Sequence, residues 1–233
     1  HSVTHLLHWA LHEVVSHDAT QKGSFVGPDK LTFDFNSAAL TPEQVRDIER
    51  LVNEKIVENA AITWTEVPYA EVRGNSQIMQ FFGDKYGETV RVVQIGGDAS
   101  ALNGYSMELC AGTHTRATGE IGLFRIASEA AIAAGVRRIE AQAGLNAYDL
   151  ATSDTARLHA IASKLGTPLP ELEKRIEGLL AQQKELEKAL KAASQREAAG
   201  RAKDLLASMQ MINSVPTIIA NLGAADGDTL QTV

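Results

Sequence analysis

The chain has 233 residues, 44% of them hydrophobic and 22% charged, with one cysteine and a formal net charge of −7 at pH 7. That length allows more than one compact unit, the composition is ordinary for a soluble protein, and no apolar run is long enough to cross a bilayer. A single cysteine excludes an internal disulfide and fits a reducing, cytoplasmic setting, no secretory leader pattern is present, and the acidic balance excludes a generally basic RNA-binding surface, so RNA would have to meet local basic clusters.

In chain order, apolar periodicity predicts a first helix over residues 2–15, opened by His1-Ser-Val-Thr-His5. A half-buried strand follows over 30–35, where Leu31, Phe33 and Phe35 alternate with polar residues. A second helix is expected over 42–59, started by Thr41, Pro42 and Glu43. Further strands are predicted over 62–68, 90–95 and 121–127. Helices and strands mixed without regular βαβ repeats point to an α+β domain over 1–144 with a mainly antiparallel sheet.

From 145 to about 213 the aromatics nearly vanish and Ala, Leu, Glu, Lys and Gln dominate. A helix is expected over 147–165, ended by Gly166. After the short link Gly166-Thr167-Pro168, the residues Leu172, Ile176, Leu179, Gln183, Leu186, Leu190 and Ala193 step as a heptad seam. Leu158, Ile161 and Leu165 give the first helix its own stripe, so the expectation is an antiparallel, coiled-coil-like helical hairpin, with one helix of an intermolecular coiled coil as the alternative. Residues 215–220 read as a strand and 227–230 as a helix start, the cut-off beginning (214–233) of a further domain.

Two short motifs carry metal-type chemistry. His1 and His5 are four apart on one helix face, so both imidazoles can grip one ion. Cys110-Ala-Gly-Thr-His114 has a small spacer that lets the backbone turn and bring thiol and imidazole together. Three imidazoles and a thiolate are a ligand set for tetrahedral zinc. Blander roles exist for each: His5, His8 and His12 as partly buried helix residues, Cys110 as a small core hydrophobe. His8 and His12 form a second four-spaced pair on the same stripe.

The run His1-Ser-Val-Thr-His5-Leu-Leu-His8 resembles the opening of the editing domain of alanyl-tRNA synthetases. Gln21-Lys-Gly-Ser24, Phe82-Gly-Asp-Lys-Tyr-Gly87, Val90-Arg-Val-Val93, Glu108-Leu-Cys-Ala-Gly-Thr-His114, Thr118-Gly-Glu-Ile-Gly122 and Gly135-Val-Arg-Arg-Ile-Glu-Ala141 follow in that family's order. Ala111 stands where the family usually has glycine. The resemblance implies that His1, His5, Cys110 and His114 hold Zn2+ beside the 3′ end of tRNA(Ala) carrying serine or glycine. It also implies that Thr4 and Gln21 line the pocket that reads the amino acid, and that the reaction is hydrolysis of the mischarged aminoacyl ester. A parent chain would attach alanine to tRNA(Ala) using ATP, and dimerise, if it does, through the C-terminal domain. Other readings are a free-standing trans-editing hydrolase, the related threonyl-tRNA synthetase editing domain, or a non-catalytic zinc-stabilised tRNA-binding or dimerisation module. Arg116, Arg125, Arg137 and Arg138 are the candidate RNA-contacting cations.

Overall fold

The computed structural model describes residues 1–80, 86–99 and 101–219. Residues 82–85 of the Phe82–Gly87 motif, the last residue of the strand expected over 215–220, and the helix start at 227–230 lie outside the described residues. The chain divides into two compact units, His1–Arg157 and Leu158–Val233.

The first unit is α+β. Helix α1 (Ser2–Val14) is buried along most of its length, with Leu6, Leu7 and Leu11 wholly enclosed. Helix α2 (Pro42–Val57) starts as the sequence predicts: Thr41 accepts from the Gln44 backbone while the Gln44 side chain accepts from Thr41 N–H, and Pro42 fills the first turn. Its apolar face, Ile48, Val52 and Ile56, joins α1 in the core. Strands β1 (Gln21–Val26), β2 (Leu31–Asn36), β6 (Phe124–Ala133) and β7 (Val136–Ala143) form one sheet in the order β1-β2-β7-β6. A second sheet holds β3 (Ile62–Pro68), β4 (Thr89–Ile95) and β5 (Ser106–Leu109), followed by a smaller cluster of Val72, Ile78, Val90, Val92, Met107 and Leu109. A one-turn helix, α3 (Tyr69–Val72), links β3 to that cluster. All these strand pairings are antiparallel, as expected.

Three expectations change. Strand β2 is buried on both faces rather than one, because Thr32 and Asp34 are covered as well as Phe33 and Phe35. The strand expected over 121–127 starts at Phe124, since Thr118–Ile121 is a 3-10 turn that Gly122 (φ 73°) ends. Strands β1, β5 and β7 fall in stretches read only as motifs.

Helix α4 (Leu145–Lys164) crosses from the first unit into the second and ends at Gly166 (φ 60°). In the second unit, helix α5 (Leu172–Ala207) runs for 36 residues, and β8 (Gln210–Ile212) pairs with β9 (Val215–Thr217). Of the heptad seam expected to line a hairpin, Leu172 is buried, whereas Ile176, Leu186 and Leu190 are exposed, Leu190 by 72%. Periodicity reported the spacing of an apolar stripe, not a partner to cover it. No helix among the described residues is long and apolar enough to cross a membrane.

Candidate metal centre and adjoining pocket

The site forms where the N-terminus of α1 meets the loop after β5. His1 caps α1, and its carbonyl accepts from Thr4 N at 3.0 Å and His5 N at 3.4 Å. Strand β5 delivers Cys110, whose N–H donates to the Arg91 carbonyl at 3.2 Å. Arg91 answers from β4: its Nε donates to the Cys110 carbonyl at 2.8 Å and its Nη2 to the Gly112 carbonyl. The loop is therefore tied at two carbonyls by one guanidinium. Ser2, buried on α1, ties the far end: its Oγ accepts from Thr115 N at 3.1 Å and lies 3.2 Å from His114 Nδ1.

These ties bring one donor atom each of His1, Cys110 and His114 within 4.8 Å of one another. His5 stands outside that trio. It lines a cavity with His1 and Cys110, its ring lies edge-on to His114 with centroids 4.9 Å apart, and its Nε2 is 3.6 Å from Glu108 Oε2. Thr4 and Gln21 line this cavity as well, with Ser24, Glu108 and Ala111; its volume is about 160 Å³. The Gln21 amide donates to Ser24 Oγ at 3.0 Å, whereas Thr4 Oγ1 is buried with no partner among the described residues.

Zinc suits these residues. Among the described residues His114 Nε2 and His5 Nδ1 are buried without a hydrogen-bond partner, a costly arrangement for an imidazole nitrogen unless something accepts its lone pair. With Nδ1 donating to Ser2 Oγ, His114 would present Nε2 as a ligand, the tautomer being fixed by the outer hydrogen bond. Burial, with help from His5, the α-amino group and Arg91, pushes His114 down to about 3, so the ring is neutral as a ligand must be. Burial also lowers His5 and the His1 α-amino group. The Cys110 thiol is raised, again chiefly by burial, and it is the group from which a metal would displace a proton.

His8 and His12 face elsewhere. Both Nε2 atoms are directed at the Ala19 carbonyl, at 3.2 and 2.8 Å, and His8 Nδ1 lies 2.9 Å from Glu108 Oε1. Burial alone would raise the enclosed Glu108 carboxyl, but His5 and the His8 contact outweigh it and hold the group below its ordinary value.

Sequence reasoning missed Ser2, Arg91 and Glu108. All three stood inside quoted motifs without a role. Of the four cations proposed for RNA, three are engaged by carboxylates: Arg125 by Glu49 at 3.0 Å, Arg137 by Glu129, and Arg138 by Asp34 at 2.6 and 2.8 Å. Arg116 is exposed.

Residues 90–140 match the family described as "Threonyl and Alanyl tRNA synthetase second additional domain". The chain is 56% identical over 165 residues to an alanine–tRNA ligase of Akkermansia muciniphila, covering 71% of this chain and 17% of that protein. It is 42% identical to the alanine–tRNA ligases of Roseiflexus castenholzii, over 99% of this chain and 27% of that protein, and Opitutus terrae, over 100% and 24%. The chain thus spans about a quarter or less of the length of these relatives. It belongs to the alanyl-tRNA synthetase family.

Proposed function

We propose that, within this family, the chain performs post-transfer editing: hydrolysis of the ester that joins serine or glycine to the 3′ end of tRNA(Ala). The observation that carries the reading is the cavity of about 160 Å³ that His1, His5 and Cys110 line together with Thr4 and Gln21. It is small enough for an amino-acid side chain and lies against a donor set for a metal.

Discrimination follows from which polar groups are left unpaired. Among the described residues Thr4 Oγ1 has no partner, and the Gln21 amide donates to the exposed Ser24 hydroxyl. A seryl hydroxyl can satisfy both. An alanyl methyl leaves the buried Thr4 hydroxyl unpaired, at a cost of ~1–3 kcal/mol. A site built to hydrogen-bond a hydroxyl rejects the analogue that lacks it far better than an apolar pocket rejects an extra one. Glycine is smaller than alanine and leaves room for a water on the same two groups.

A zinc ion held by His1, Cys110 and His114, with His5 as fourth donor, would be a closed site that positions the loop and the pocket around the ester. The chain's own residues hold the loop (Arg91, Ser2), orient the acyl group (Thr4, Gln21) and exclude bulk water. The parent activity, ATP-dependent attachment of alanine to tRNA(Ala), belongs to the same proposal.

The test is deacylation of Ser-tRNA(Ala) and Ala-tRNA(Ala). The chain should release serine and spare alanine, and Cys110→Ala should be inactive. Equal rates for wild type and Cys110→Ala would end the editing reading.

A further inference from the structure

The cations picked from the sequence as RNA contacts are mostly neutralised, yet an acidic chain that handles an RNA end needs a local positive group. Arg91 supplies one. In the β3–β4 ladder it stands directly opposite Glu66, the usual arrangement for a cross-strand ion pair. The guanidinium turns away from that carboxylate and donates to the carbonyls of Cys110 and Gly112 instead. No carboxylate lies within ion-pair distance of it among the described residues. Two of its five N–H donors are used by the carbonyls, so three remain for a ligand.

Beside it stands Trp64 on β3, with the guanidinium carbon 5.7 Å from its ring centre. The indole is 57% exposed, so its ring offers a planar surface that a base can stack on, beside a cation. The pair adjoins the site through direct contacts: Arg91 holds the Gly112 carbonyl, and Gly112 packs against the His1 imidazole.

We infer that Trp64 and Arg91 form a platform for the nucleotide next to the terminal one of a single-stranded RNA 3′ end, the indole stacking its base and the guanidinium taking its phosphate. Resting on the editing reading, this names where the RNA is gripped while its last residue enters the cavity. Stacking asks only for a π-face, so the platform is indifferent to base identity. The phosphate contact fits the planar fork of arginine better than lysine's point charge.

The deciding experiment is titration of a short 5′-fluorescent RNA ending in cytidine-cytidine-adenosine with the zinc-loaded chain, its Trp64→Ala and Trp64→Phe variants, and Arg91→Gln. Trp64→Ala should weaken binding about 5- to 150-fold, the range of one lost stacked base, with zinc content unchanged, and Trp64→Phe should recover most of it. Arg91→Gln should flatten the plot of log affinity against log salt by ~0.7, one phosphate contact. Trp64→Ala binding within twofold of wild type, or losing zinc together with RNA, overturns the inference. If wild type hydrolyses Ser-tRNA(Ala) and Trp64→Ala does so with the same KM, the platform fails while editing stands. If the chain binds RNA through Trp64 but hydrolyses nothing, editing fails while the platform stands.

Discussion

The two residues between Cys110 and Thr113 should respond oppositely to a methyl group. Ala111 is exposed, so the side chain that replaces the family glycine projects where nothing resists it. Gly112 is the reverse case. A Cβ there would fall 2.6 Å from Cε1 and 2.8 Å from Cγ of the His1 ring, and closer still to Nδ1. Ordinary carbon contacts lie at ~3.5–4.0 Å, so Gly112→Ala must push the ring by about 1 Å or more. His1 is the exposed first residue, and its side chain can swing aside. The folded domain should therefore lose little, ~1 kcal/mol or less, as for a change at a flexible surface group. The metal should lose much more, because zinc–nitrogen bonds tolerate only ~0.2 Å. If zinc binding of ~10–16 kcal/mol is shared among four ligands, the loss of one is ~2.5–4 kcal/mol, or roughly 60- to 700-fold in affinity. Competition against a chromophoric chelator measures the affinity, and thermal unfolding of the metal-free chain measures the fold. Gly112→Ala with wild-type zinc affinity would refute the packing of His1 on this loop, and a similar loss in Ala111→Gly would refute the contrast.

Metal analysis should find that Cys110→Ala loses zinc while His12→Ala keeps it, since His12 Nε2 is engaged by the Ala19 carbonyl at 2.8 Å; loss in the second variant alone would reverse the ligand assignment. Thr118 is wholly buried, donating to the Lys55 carbonyl at 2.6 Å and accepting from Ala60 N at 2.9 Å, so Thr118→Val should cost ~1–3 kcal/mol in urea unfolding. For the metal-free chain the His shifts set a pH dependence. His5 and His114 are depressed in the folded state, His114 to about 3, so below about pH 6.5 the unfolded chain binds more protons. Stability should then be lost as pH falls from about 6.5 toward 3, and Tm at pH 5 should lie below Tm at pH 7. An unchanged Tm would mean these imidazoles are not buried without metal.

What the sequence made legible depended on whether the signal was local. Helix α2 was readable because its start is written in adjacent residues, Thr41, Pro42 and Gln44. The same holds for β3, which covers the expected residues Ile62–Pro68. Strand β5 was not readable: it has four residues, all buried, so it shows no alternation and is too short for periodicity to speak. The arginines misled for a related reason. Arg138 faces Asp34 directly across β2 and β7, a neighbour more than a hundred positions away that only strand register reveals. The seam of α5 shows the same limit from the other side: heptad spacing is a property of one helix, but burial needs a partner the spacing does not name.

His1 at the cap of α1 and the three histidines within it show how one periodic stripe can serve two purposes. His1, His5, His8 and His12 recur at the helical period, and by spacing alone either four-spaced pair could grip an ion. Rise along the axis separates them. At ~1.5 Å per residue, His8 begins about 10 Å beyond His1, farther than a single ion can bridge. Glu108 stands between the pairs, 3.6 Å from His5 and 2.9 Å from His8. The carboxylate, two residues before Cys110, therefore meets the inner member of each pair. Beyond it, the Ala19 carbonyl receives His8 and His12 and fixes the turn that leads into β1. That strand begins with Gln21, two residues on. The second pair thus holds the backbone that brings the pocket's amide to the cavity, while the first pair lines that cavity. The choice between them lay in the protein groups each pair meets, a carboxylate and a carbonyl contributed by other elements, and not in the histidines themselves.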